Sequence, residues 1–115
     1  MIRRAEECEV KVREAMRGGP GSVKLVDVAS KEEMFGKARL FSKLVIEPGC
    51  GIGEHLHEGE CEIFYIAKGQ ATYNDNGTQK ILNVGDIAIC NDGEVHAITN
   101  KGDETLEVIA LIPTK

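Results

Sequence analysis

Residues 49–69 read GCGIGEHLHEGECEIFYIAKG and carry two of the three histidines in this 115-residue chain. His55 and His57 lie two positions apart, and Glu62 follows them. In a β-strand, side chains at positions i and i+2 point to the same face, so this pair can offer both imidazoles to one ion. Imidazole nitrogens and carboxylate oxygens are ordinary ligands for divalent first-row metals. The segment therefore predicts three ligands of a metal site.

The third histidine, His96, lies in a second segment bounded by turns. Residues 85–100 read GDIAICNDGEVHAITN, and the chain has no further histidine. Four protein ligands on an ion that prefers six leave two positions for water or substrate, whereas a structural zinc site is closed by its four ligands. Nitrogen and oxygen donors without a thiolate suit Mn, Fe, Ni or Zn. We therefore predict one divalent first-row metal ion per chain, bound by His55, His57, Glu62 and His96.

Most of the chain after residue 38 reads as short strands separated by turns. The segment Asp75-Asn76-Gly77 is a strong signal for a type I′ hairpin. Many short strands with glycine-rich turns between them indicate a barrel or a sandwich. The predicted strands cover residues 39–46, 62–68, 71–74, 79–84, 87–90, 95–99 and 106–112.

The N-terminal third is predicted to pack on this barrel within a single domain. Residues 1–17 are charged and could form a short helix or an arm, and residues 23–28 read as a strand. Ser30 and Glu33 form a capping-box pattern that would start a helix, which Gly36 would end within two turns. We predict an arm, a strand and a short helix over residues 1–37, and the barrel over residues 38–115.

The two histidine segments resemble both conserved motifs of the cupin superfamily. The first segment has the motif spacing at Gly49, His55, His57, Glu62 and Gly69. The second has it at Gly85, Gly93, His96 and Asn100, with Asn91 where the family usually has proline. The resemblance implies an all-β fold: a double-stranded β-helix, or jelly-roll, barrel with a short N-terminal helical segment or arm and a metal ion in its mouth. It does not imply one reaction, because the same barrel hosts many functions.

Within the superfamily, the chain is similar to small cupins described as oxalate-decarboxylase-like. True oxalate decarboxylases are larger, with two cupin domains and manganese. They carry an arginine three residues before the first histidine, where it binds the substrate carboxylate. This chain has Ile52 at that position, so bidentate capture of oxalate would lack that donor.

Two functional hypotheses follow from the resemblance. In the first, the chain is a metalloenzyme that acts on a small oxygenated organic molecule by dioxygen chemistry, decarboxylation or isomerisation, with the metal as Lewis acid. In the second, it is a non-catalytic cupin that binds a sugar or metabolite through the same metal. The nearby acids Glu54, Glu58 and Glu60 are interpreted as solvated turn residues rather than catalytic groups.

Composition limits the partners that the chain can have. The formal net charge is −5, which argues against nucleic acid or an anionic membrane as partner. The N-terminus lacks the apolar stretch of a signal peptide, so we expect a cytoplasmic protein with reduced cysteines. Small cupins are commonly dimers, and a strand at residues 23–28 on an exposed edge would pair across a two-fold axis. We predict a homodimer that binds a small molecule.

Overall fold

The computed structural model describes all 115 residues and forms two antiparallel β-sheets that enclose one apolar core. The strands are β1 (Val10–Glu14), β2 (Ser22–Asp27), β3 (Ala38–Ile46), β4 (Gly51–Leu56), β5 (Glu62–Lys68), β6 (Ala71–Asp75), β7 (Thr78–Leu82), β8 (Ile87–Cys90), β9 (Val95–Thr99) and β10 (Leu106–Pro113). Six strands make the larger sheet, in the order β1-β2-β3-β10-β5-β8, and four make the smaller, in the order β4-β9-β6-β7. The predicted all-β jelly-roll architecture is confirmed.

The core follows from the two-residue period of the strands. Along β10, every second side chain from Leu106 to Ile112 is buried, and the residues between them face outward. The larger sheet adds Phe64, and the smaller sheet adds Ile98 and Tyr73 from the opposite side. Each fully buried side chain of this size stabilises the fold by about 1.5–3 kcal/mol. Burial between the two sheets is therefore what holds the barrel together.

The hairpin between β6 and β7 forms where its turn residues predict it. Asn76 and Gly77 have φ angles of 51° and 96°, the left-handed pair that a type I′ turn requires. Asp75 and Thr78 pair directly on either side of the turn. The predicted hairpin is confirmed.

The N-terminal segment contains the predicted short helical turn and, in addition, a strand that was not predicted. Residues 10–14 form the strand β1, which pairs with β2, while the helical content is limited to 3-10 turns at Ala5–Glu7 and Met16–Gly18. Strand β2 also pairs with β3, so the prediction that residues 23–28 form an exposed edge is wrong. The edge is β1, which has only two apolar residues, Val10 and Val12. Its two valines alternate with Lys11 and Arg13, but both are exposed, so pairing with β2 rather than burial holds the strand in place.

The capping box after β2 forms, but the helix that it was predicted to start does not. The Ser30 hydroxyl accepts from the Glu33 amide at 3.1 Å, and the Glu33 carboxylate accepts from the Ser30 amide at 2.9 Å. Phe35 and Gly36 then adopt left-handed φ angles of 58° and 70°. Two such residues in succession stop a right-handed helix, so residues 31–36 form hydrogen-bonded turns.

The helical segments are single 3-10 turns, and none has the length and apolar composition needed to cross a membrane.

A buried amide side chain joins two loops at one end of the barrel. The turn between β6 and β7 lies at the other end. Asn100 is fully buried, and its Nδ2 donates to the carbonyl oxygens of Ile46 and Glu104, both at 2.8 Å. Its Oδ1 accepts from the Gly102 amide at 3.0 Å. This one side chain therefore satisfies three backbone groups from the turns after β3 and β9.

We expect the Asn100→Ala substitution to lower the free energy of unfolding by about 2–3 kcal/mol, because it leaves buried backbone groups without a partner. Urea unfolding measures this loss. The control is Gln70→Ala, which removes an exposed side-chain hydrogen bond to Asn83 and should cost no more than about 0.5 kcal/mol. Equal losses in the two variants would contradict this account of Asn100.

Candidate metal centre

Strand pairing brings the predicted ligands to one end of the barrel. His55 on β4 lies directly opposite His96 on β9, and His57 follows one residue after β4 ends. Glu62 is the first residue of β5 and enters from the larger sheet. One ligand atom from each of these four side chains lies within 4.8 Å of the others, so the cluster can hold a metal ion.

The spacing of the ligand atoms matches the coordination sphere of a single ion. His96 Nε2 lies 3.1 Å from the Nε2 atoms of both His55 and His57. Glu62 Oε1 lies 3.0 Å from His96 Nε2, 3.1 Å from His57 Nε2 and 3.9 Å from His55 Nε2. Two nitrogen ligands at about 2.1 Å from an ion, at right angles, lie about 3 Å apart. The four atoms therefore lie close enough together to bind one ion.

The outer nitrogen of each imidazole is held by a different group. Nδ1 of His55 donates to the carbonyl oxygen of Gly53 at 2.8 Å. Nδ1 of His57 donates to Oε2 of Glu60 at 2.5 Å. Nδ1 of His96 lies 2.8 Å from the hydroxyl of Tyr73. These contacts orient all three rings so that Nε2 points into the cluster.

This arrangement fits a divalent cation. A carbonyl and a carboxylate can only accept, so a neutral His55 or His57 carries its proton on Nδ1 and leaves a lone pair on Nε2. Those lone pairs meet each other and a carboxylate oxygen of Glu62 inside the protein. A metal cation bonds to all of these acceptors at once, whereas a single proton satisfies only one pair of them.

Because the ligand side chains are buried, the carboxylate of Glu62 needs a positive charge beside it. The side chains of His57 and His96 are each 1% exposed, and Glu62 is nearly as buried. Burial raises the pKa of the Glu62 carboxyl, whereas hydrogen bonds from the protonated forms of the three imidazoles lower it by more, so the carboxyl ionises well below its usual pKa range when its neighbours carry positive charge. A buried carboxylate needs a cation beside it. A bound metal supplies one.

The ring of His96 is also fixed by aromatic packing. Phe64 stacks on it with ring centroids 5.1 Å apart and an interplanar angle of 19°. Tyr73 contacts the ring edge and is itself buried, which raises the pKa of its hydroxyl above the usual range. The hydroxyl therefore stays protonated and works as a hydrogen-bonding partner of His96.

The cysteines are not part of the ligand set, although Cys90 pairs directly opposite Glu62. All four are free thiols, and none contributes a ligand atom to it. Burial raises the pKa of Cys90 to about 11, so this thiol stays protonated. A protonated thiol is a poor metal ligand.

Sequence reasoning missed two residues next to the cluster, Glu60 and Tyr73. The interpretation of Glu60 as a solvated turn residue is wrong, because its carboxylate binds His57 and receives two hydrogen bonds from Arg39, at 2.6 and 2.8 Å. Arg39 and, to a smaller extent, His57 lower the pKa of Glu60 to about 2. Glu54 and Glu58 are exposed as predicted. No local signal separates Glu60 from these neighbouring acids.

Comparison with known proteins gives a consistent result. Residues 42–112 match the family model described as a cupin domain. An oxalate-binding protein of Thermotoga maritima is 41% identical over 112 residues, which cover 97% of this chain and 93% of the relative. The crystal structure of a predicted oxalate decarboxylase from the same organism superposes with a TM-score of 0.95 at 40% identity and covers all of both chains. A Klebsiella pneumoniae protein with a double-stranded β-helix domain gives a TM-score of 0.69 at 26% identity, over 84% of this chain and 78% of the other.

We expect protein purified without added metal or an affinity tag to contain about one Mn, Fe, Ni or Zn ion per chain, because the four donors lie close enough together to bind one ion. Elemental analysis measures this content. The ion should be lost in His57→Ala and retained in Glu58→Ala, a matched change at an exposed neighbour. Absence of metal from the unsubstituted protein, even after reconstitution, would contradict this expectation.

Proposed function

The chain belongs to the cupin family, and we propose that it holds one divalent first-row metal ion at His55, His57, Glu62 and His96 and binds a small oxygenated organic anion of the oxalate class through that ion. The observation that carries the proposal is the convergence of imidazole lone pairs on a buried carboxylate. Four ligands leave open positions on an ion that prefers six. A bound metal would supply Lewis acidity and a positive charge for the oxygens of such an anion.

The proposed anion is taken from the name of a related protein. The proposed metals follow from the nitrogen and oxygen donor atoms of the cluster. One relative that matches nearly the whole chain is named for oxalate binding. The donor set of three nitrogens and one oxygen suits Mn, Fe, Ni or Zn, and supply decides among them. Ile52, at the position of the substrate arginine in true oxalate decarboxylases, is buried and apolar. The metal is therefore the main group that we propose for recognising a carboxylate.

Turnover is the second candidate function, by decarboxylation, dioxygen chemistry or isomerisation. The structure of a predicted oxalate decarboxylase, which superposes on the whole chain, favours it. The ionisable side chains beside the ligands argue for binding instead, because Glu60 is engaged by Arg39 and His57, and Tyr73 by His96. A general acid or base must reach the substrate proton, and these two groups are already committed to the imidazoles.

We expect oxalate to change the visible absorption spectrum of Co²⁺-loaded protein, because its oxygens would enter the open positions of the ion. Acetate, with a single carboxylate, should need a much higher concentration. Because oxalate is itself a chelator, elemental analysis after gel filtration must show that cobalt stays on the protein. Co²⁺ added to His96→Ala is the control and should give no oxalate-dependent change.

Carbon-13 NMR of labelled oxalate in the same samples separates the two candidate functions. A persistent oxalate signal supports binding without turnover. Formation of formate or carbon dioxide would select the enzymatic candidate. Oxalate that leaves the spectrum of the metal-loaded protein unchanged would contradict the proposed ligand class.

We also propose that two copies of the chain associate through the outward face of the larger sheet, which we call the outer sheet face. Strand register places Ile109 beside Tyr65, and Tyr65 beside Ile87, on this face. Lys43 and Glu107 pair near its centre at 3.6 Å, so two copies related by a two-fold axis present matching apolar and charged groups. The large apolar members of the face are Val10, Val12, Val26, Phe41, Val45, Ile63, Tyr65, Ile87, Ile89, Ile109 and Leu111.

We expect sedimentation equilibrium at micromolar concentration to give a dimer, because a continuous apolar face of this kind is typical of an interface. Ile109→Glu should convert it to a monomer by placing a charge at the centre of that face. The control is Ile81→Glu, which places the same charge on an exposed position of β7 in the other sheet and should leave the dimer intact. A monomeric unsubstituted chain would refute this part of the proposal.

A further inference from the structure

A chain of three side chains runs from the protein surface to the metal centre. Nδ1 of His57 donates to Oε2 of Glu60, and the same carboxylate accepts two hydrogen bonds from Arg39. The side-chain exposure rises along this chain from 1% at His57 to 13% at Glu60 and 41% at Arg39. We infer that Glu60 and Arg39 are positioning residues that set how tightly His57 binds the ion; this inference rests on the proposed metal site.

His57 differs from the other two histidines in the charge of its partner. His55 donates to the neutral carbonyl of Gly53, and His96 contacts the neutral hydroxyl of Tyr73. Only His57 donates to a carboxylate. A carboxylate behind an imidazole fixes its orientation and increases electron donation through the opposite nitrogen. His57 should therefore be the strongest of the three nitrogen donors.

Arg39 acts on His57 through the position of Glu60. Its Nε and Nη2 hold the two carboxylate oxygens in a planar, two-point contact, which restricts rotation of the Glu60 side chain. Without Arg39, the imidazole would be the remaining side-chain partner of that carboxylate. Arg39 belongs to β3 in the larger sheet, whereas His57 follows β4 in the smaller sheet. The ion pair therefore aligns a metal ligand of one sheet against the other.

The turn that carries Glu60 is held by other bonds, so the ion pair is not needed to form it. The carbonyl of His57 accepts from the Gly93 amide at 2.7 Å, and the His57 amide donates to the carbonyl of Glu94 at 3.1 Å. The Gly59 amide donates to Asp92 at 2.8 Å, and the Gly59 carbonyl accepts from the Lys115 amide at 3.0 Å. Removal of the charge on Glu60 should therefore affect the imidazole of His57 more than the path of the backbone.

The test is a measurement of Co²⁺ and Zn²⁺ affinity by competition with a chromophoric chelator. Glu60→Gln keeps the size and an acceptor oxygen but removes the charge, and we expect it to weaken metal binding about 10- to 100-fold. Its Co²⁺ absorption bands should shift relative to the unsubstituted protein, because the donor strength of His57 changes. Arg39→Ala should weaken binding in the same direction, and Arg39→Lys, with charge but without the two-point contact, should be intermediate.

The order of action is tested by combining the substitutions. If Arg39 acts through Glu60, adding Arg39→Ala to Glu60→Gln should weaken the binding little further. Independent, multiplicative losses would overturn the proposed order. Far-ultraviolet circular dichroism and urea unfolding show whether each variant keeps its fold, so a loss of affinity can be separated from a loss of structure.

The matched control is Arg3→Ala. It breaks the ion pair between Arg3 and Glu33, whose atoms lie 2.7 Å apart and contact none of the histidines. It should leave both the metal affinity and the Co²⁺ spectrum unchanged. If the unsubstituted protein binds metal tightly and Glu60→Gln binds it equally tightly, the inference is overturned and the proposed metal site is not. Absence of metal binding by the unsubstituted protein would overturn the proposed function and this inference with it.

Discussion

Four electron-pair donors meet inside this protein at a place where water has little access. His57 and His96 are almost completely buried, Glu62 lies 3.0–3.1 Å from both of their Nε2 atoms, and His55 completes the cluster. Lone pairs and a negative charge in an apolar interior repel each other unless a cation joins them. This requirement is the physical basis of the proposed metal-dependent function.

The two sheets supply the cluster in different ways. The smaller sheet provides the histidines through the pairing of β4 with β9, and the larger sheet provides Glu62 at the start of β5. Close backbone packing supports the position of His55, because a Cβ at Gly53 would lie 2.1 Å from the carbonyl oxygen of Arg17. Glycine is therefore required there, and its carbonyl is in place to accept from His55. The geometry of the cluster depends on the relative position of the sheets, which the apolar core between them determines.

The polar groups around the ligands suit binding better than proton transfer. Each outer imidazole nitrogen has a partner, and the ionisable partners, Glu60 and Tyr73, are held in ionised and protonated forms by their surroundings. Such groups orient ligands and adjust their donor strength. Under the proposed function, recognition of an organic anion would rest mainly on the charge and open positions of the metal.

Local pattern was enough to predict most of the strands, the Asn76-Gly77 hairpin and the four residues of the cluster. Side-chain alternation and turn preferences act over a few residues, so they can be read from neighbouring positions. The strand β1 was not predicted, because Val10 and Val12 give only a short alternation within a charged segment, and the strand is held by pairing with β2. Glu60 could not be separated from Glu58, because its partner Arg39 lies 21 residues away, and Tyr73 reaches His96 across 23 residues. The sequence by itself determined which side chains can bind a metal, whereas only the tertiary structure decided which groups orient them, because those contacts arise from strand register and sheet packing between distant segments.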